Sequence, residues 1–74
     1  MYSRRGCHLC DEARTIILSV RARLPFAFDE IDIEADDDLL REYAIRIPVV
    51  LVDGVERFEI SVDGDELEAL VRIR

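Results

Sequence analysis

Lysine, asparagine and glutamine are absent from the chain, and all ten basic residues are arginine. Arginine codon bias in a GC-rich genome accounts for this better than thermophily, whose usual signal is a gain of lysine. The absence therefore says little about function. Long hydrophobic runs are also missing. The longest uncharged apolar stretch is Ile47 to Val52, far short of the ~20 residues that a membrane-spanning helix needs. No apolar stretch follows Arg4 and Arg5, so no signal peptide is expected. No repeat, low-complexity tract or linker divides the 74 residues. One domain over residues 1–74 with one small core is the expectation, in a cytoplasmic protein that does not engage a membrane.

Half of the residues are hydrophobic and 36% are charged, a balance typical of a globular chain rather than a disordered one. The net charge of −7 repels phosphate backbones, which argues against nucleic acid as a partner. The charge is uneven. Residues 1–25 hold five arginines (Arg4, Arg5, Arg14, Arg21 and Arg23) against Asp11 and Glu12, a local +3, so the rest carries −10, including Asp36-Asp37-Asp38. A positive patch thus surrounds the two cysteines, Cys7 and Cys10.

Met1 to Arg4 is short for a first strand, which leaves open whether the natural chain starts here or further upstream. From Cys10, the apolar positions Ala13, Ile16, Ile17, Val20 and Leu24 recur at helical spacing, and Pro25 stops the helix. Phe26 to Ile33 reads as a strand, with its interspersed acids suiting a sheet edge. Asp36 to Asp38 favour a helix start, followed by Leu39, Leu40 and Tyr43. Val49 to Val52 is apolar on both faces, as a central strand would be. Asp53-Gly54 suits a tight hairpin turn, and Val55 to Val62 returns with Phe58, Ile60 and Val62 pointing inward. Asp63 and Glu66 have the spacing of a capping box ahead of a closing helix with Leu67, Leu70 and Val71 inside. The order β-α-β-α-β-β-α predicts an α/β fold of the α+β sandwich type: a four-stranded mixed sheet with helices on its faces. This is the arrangement of the thioredoxin fold.

Cys7-His8-Leu9-Cys10 falls where the first strand hands over to the first helix. Two intervening residues bring both sulfurs within one helical turn. Unpaired N–H groups and the positive end of the helix dipole favour a thiolate at Cys7, and Arg4 and Arg5 add positive charge. Such settings hold a thiol below its free pKa of about 8.5. A thiolate attacks disulfides, so Cys7 would be the nucleophile and Cys10 the resolving thiol, with Gly6 allowing a tight turn ahead of them. His8 would either favour the thiolate by its charge or simply sit exposed on the first helical turn.

Other readings stay open at this stage. A structural disulfide closing so short a loop would remove little chain entropy. A metal or iron–sulfur carrier could use Cys7, Cys10 and His8, but it would need further ligands from a second chain or from outside. A docking module would keep the groove beside Pro48 without catalysis. A Cys-x-x-Cys next to a β-α-β pattern points first to redox exchange.

Tyr2 to Ala13, which includes Cys7-His8-Leu9-Cys10-Asp11-Glu12-Ala13, resembles the glutaredoxin-like family of small thioredoxin-fold proteins. Ile47-Pro48-Val49-Val50 extends the resemblance, which runs through nearly the whole chain. It implies a thiol–disulfide oxidoreductase with Cys7 as nucleophile and Cys10 as resolving thiol; no metal and no tightly bound cofactor are expected. It further implies that Pro48 is a cis-proline that lets Ile47 offer its backbone to an extended substrate. Arg4 matches the family's basic residue three positions before the first cysteine. Leu9 stands where the family has an aromatic residue, and Arg46 where it has a threonine. Asp63, Gly64 and Asp65 correspond to its glycine pair and aspartate, with one glycine missing. These residues and His8 are the candidate substrate-binding set, and Arg46 would pair with a substrate carboxylate. The expected partners are protein or small-molecule disulfides, with glutathione as a co-substrate, acting on a monomer.

Overall fold

A computed structural model describes residues 1–73; Arg74, the expected domain limit, lies outside them. The elements are β1 (Tyr2–Ser3), α1 (His8–Arg23), β2 (Ile31–Asp32), a short 3₁₀ turn (Ile33–Ala35), α2 (Asp37–Tyr43), β3 (Val49–Val52), β4 (Val55–Glu59) and α3 (Gly64–Arg72). This is the expected β-α-β-α-β-β-α order.

The strands form one four-stranded mixed sheet in the order β2-β1-β3-β4. β1 runs parallel to β2 and antiparallel to β3, with Tyr2 opposite Val49, and β3 runs antiparallel to β4. The β3–β4 turn has positive φ at both Asp53 (52°) and Gly54 (83°), the conformation that twists in step with the strands it joins. The ladder pairs Val50 with Phe58 but Leu51 with Glu56, so Arg57 is an extra residue and β4 carries a bulge there.

Helix boundaries follow from local chemistry. Asp36 Oδ1 accepts from the N–H groups of Asp38 (2.8 Å) and Leu39 (3.3 Å) to cap α2. Asp63 Oδ1 caps α3 in the same way, accepting from Asp65 (2.9 Å) and Glu66 (3.2 Å). In α1, Cys10, Ala13, Ile17 and Val20 form the buried stripe, and Pro25 follows the cap residue Leu24. Together with Met1, Val50, Phe58, Val62 and Leu67, the last three of these make one core between α1, α3 and a sheet face. Side chains alternate across a strand, so Tyr2 faces the other way from Met1. It stacks on Tyr43 of α2, with ring centroids 4.4 Å apart and planes at 17°. α2 therefore covers the opposite face.

Helix α1 starts at His8 with Cys7 as its N-cap, in keeping with the helix N-terminus expected at Cys7. Two sequence expectations need correction. The strand expected over Phe26 to Ile33 shrinks to Ile31–Asp32. Its neighbour β1 has only two residues to pair with, and nearby carbonyls are already taken. Arg21 Nε donates to Phe26 O (2.8 Å), and the Met1 ammonium donates to Asp29 O (2.7 Å). Phe26 and Phe28 instead pack, partly buried, against the core. Finally, β4 ends at Glu59 rather than Val62. Ile60 has φ 72°, and its N–H turns back to the carbonyls of Pro48 (2.9 Å) and Arg46 (3.2 Å). Its side chain is therefore exposed rather than inward, whereas Phe58 and Val62 are buried as expected. Among the described residues, no helix is long and apolar enough to cross a membrane.

Candidate active site

Strand directions bring the expected site residues to one end of the sheet. β1 runs toward Cys7, and with Tyr2 opposite Val49 its continuation lies alongside Pro48 and Ile47. β4 runs antiparallel to β3, so Ile60 to Asp65 emerge at that same end. The Ile47–Pro48 peptide bond is cis, as the resemblance implied.

The turn into α1 closes through the Cys7 N–H and the Arg4 carbonyl (3.3 Å). Gly6 sits at φ 78°, where a residue with a Cβ would be strained. Cys7 has extended φ/ψ and caps the helix, its Sγ accepting from the Cys10 N–H at 3.1 Å. The two cysteines are disulfide-bonded, with Cα atoms 5.2 Å apart. Cys7 is partly exposed and Cys10 fully buried, so only the first sulfur is open to a partner. Between them, Leu9 is 42% exposed. His8 is 86% exposed, with Nε2 3.4 Å from Glu12 Oε1.

The expected positive rim is largely paired within the protein. Arg4 Nε lies 3.1 Å from Glu34 Oε1. Arg14 bonds Asp11 (2.8 Å) and grips Glu30 through Nε (2.7 Å) and Nη2 (2.5 Å). Buried Ser3 completes this network by donating to Glu30 Oε2 at 2.7 Å. Hydrogen bonding from Arg14 holds the Glu30 carboxyl down at about 2; burial opposes this and Ser3 assists it. Among the described residues, Arg5 and Arg21 are the arginines of this patch with no ion pair, Arg21 bonding the Phe26 carbonyl instead.

Arg46 is not a free carboxylate clamp. It bonds Glu56 (2.6 Å), Glu59 (2.8 Å) and Glu42 (3.4 Å), with its guanidinium 5.2 Å from the centre of the Tyr43 ring. The Ile47 N–H, expected to meet a substrate, donates to the Tyr43 carbonyl instead (3.1 Å), because it lies just past the end of α2. Asp63 satisfies the first amides of α3, as described above. Gly64 packs so close to α1 that an added Cβ would lie 3.2 Å from Ile16 Cγ2. A partly open, mainly apolar pocket of ≈ 320 Å³, lined by Met1, Phe26, Phe28 and Val71 together with Asp29 and Asp53, contains none of the candidate residues.

Two features of the site carried no sequence signal. Ser3, Arg14 and Glu30 lie far apart in the chain, with no motif to link them. Ile60 is β-branched, a type for which positive φ is a genuine outlier.

A family model described as glutaredoxin-like domain (DUF836) matches residues 1–72. Among solved structures, the chain is similar to the X-ray structure of the structural genomics target protein XcR50 from X. campestris. The two share 29% identity with a TM-score of 0.79, over 99% of this chain and 93% of that one. No curated protein matches.

Proposed function

Since the chain belongs to the glutaredoxin-like domain family, we propose that it is a thiol–disulfide oxidoreductase working through Cys7 and Cys10. The observation that carries this reading is the asymmetry of the pair. A partly exposed sulfur caps α1, and a fully buried sulfur lies one turn along, within bonding reach.

In the reduced form, the Cys7 thiolate attacks one sulfur of a partner disulfide. A mixed disulfide forms, and the other partner sulfur leaves as a thiolate that takes a proton from water. Cys10 then loses its proton and attacks Cys7 Sγ, which closes the intramolecular disulfide and releases the second thiol. Two electrons pass from the protein to the partner. The Cys10 N–H and the helix N-terminus support negative charge on Cys7. The reverse sequence regenerates the dithiol, with glutathione or another cytoplasmic thiol as the donor. The carrier alternative would draw its remaining ligands from outside this chain, since among the described residues no three His, Cys, Asp or Glu groups come together.

The test is a redox titration read by thiol alkylation and intact mass. A reversible two-electron transition between about −270 and −180 mV is expected. Cys7→Ser should abolish exchange, and Cys10→Ser should trap a mixed disulfide. Full activity in both variants would refute the proposal.

A further inference from the structure

We infer that this site is built for a polypeptide disulfide in an extended segment with apolar and basic residues beside its cysteine, in preference to glutathione disulfide. The inference rests on the exchange chemistry proposed above and names its substrate class.

The two places where a small anionic thiol would be held are already filled by the protein's own carboxylates. The first amides of α3 form an anion-binding end, but Asp63 Oδ1 takes the N–H groups of Asp65 and Glu66. Arg46, the cation beside the cis-proline, is bound by Glu42, Glu56 and Glu59. Three carboxylates around one guanidinium leave that corner net negative, and Asp65 and Glu66 extend the acidic surface past Asp63. Glutathione disulfide is an anion and is repelled there; a basic peptide is attracted.

The same end of the sheet presents apolar side chains to solvent. Leu9 lies between the cysteines, and Ile45 is 91% exposed just ahead of Arg46. Ile60 is 43% exposed, held at positive φ by its bonds to the carbonyls of Arg46 and Pro48. A β-branched residue kept outward at an unfavourable backbone angle, against the cis-proline segment, is a costly arrangement for a surface that touches nothing. Exposed apolar groups beside the acidic surroundings of Arg46 and the acidic start of α3 match a segment that carries apolar and basic residues.

The experiment uses the pre-reduced protein and four disulfides. Two are short peptides carrying one cysteine as its mixed disulfide with 2-mercaptoethanol, flanked by Leu and Arg in one and by Ser and Glu in the other. The others are glutathione disulfide and bis(2-hydroxyethyl) disulfide, and oxidation of the protein is followed by alkylation and intact mass. At low salt, the Leu/Arg peptide should react at least about tenfold faster than the Ser/Glu peptide or glutathione disulfide, and the gap should narrow in about 0.5 M NaCl. Ile45→Ser, at a position too exposed to threaten folding, should lower the ratio of the Leu/Arg peptide rate to the bis(2-hydroxyethyl) disulfide rate several-fold. Glutathione disulfide reacting as fast as the Leu/Arg peptide, or a ratio unmoved by Ile45→Ser, would overturn the inference and leave the exchange chemistry standing. If no disulfide oxidised the protein, the proposed function itself would fall.

Discussion

Replacing Glu30 with Gln removes one charge from a network that ties the cysteine-bearing helix to the sheet. Arg14 of α1 and Ser3 of β1 both bond this carboxylate, which sits just before β2. It is held at about 2 against an ordinary 4.5. Linkage converts a displacement of that size into roughly 3 kcal/mol at neutral pH. The side chain is 27% exposed, and screening by solvent brings the expected figure to about 1–2 kcal/mol. Because the folded value lies below the unfolded one, this contribution is complete above the ordinary 4.5 and is lost as pH falls through about 2. At pH 3 roughly 40% should remain. Urea unfolding of the oxidised protein measures it: Glu30→Gln should lower the midpoint by about 1–2 M at pH 7, taking a slope near 1 kcal/mol/M for so small a chain. The deficit should be less than half as large at pH 3. A variant as stable as the parent at pH 7, or a deficit equal at both pH values, would refute this account.

Further outcomes follow from other parts of the structure. Asp63→Ala removes the α3 cap and should cost about 1 kcal/mol in urea unfolding, while speeding reaction with glutathione disulfide by uncovering two amides. Gly54→Ala places a Cβ at φ 83° and should destabilise the hairpin by about 1 kcal/mol, read from the same transition. Arg46→Met leaves Glu42, Glu56 and Glu59 facing one another. It should lower the thermal midpoint, and about 1 M NaCl should restore part of the loss by screening their repulsion.

Local chemistry made much of the fold legible. α1 announced itself through a long apolar period and a proline stop, the β3–β4 hairpin through Asp53-Gly54, and α3 through Asp63. Each signal acts within a few residues. β1 and β2 were hard to delimit because two-residue strands exist only through their neighbours, and the limit on β2 is the length of β1. The cysteine spacing and cis-Pro48 were readable as motifs, whereas the engagement of Arg46 was not. An arginine's sequence position gives its charge but not the three glutamates that the β3–β4 hairpin and α2 bring to it. Ile60 defied its residue type for the same reason, its backbone being held by carbonyls from the loop before β3.

The cap of α1 is a sulfur rather than the usual serine, threonine or aspartate oxygen. The atom that begins the helix is therefore also the one that would change its bonding in the exchange proposed above. An ordinary cap is a fixed fitting, but this one alternates between a charged acceptor and a neutral one. The grip on the Cys10 N–H strengthens when Cys7 is a thiolate and slackens when it is bound to a partner. Reactivity and helix order are thus two readings of one hydrogen bond, and any change that frays the first turn of α1 also reaches the nucleophile.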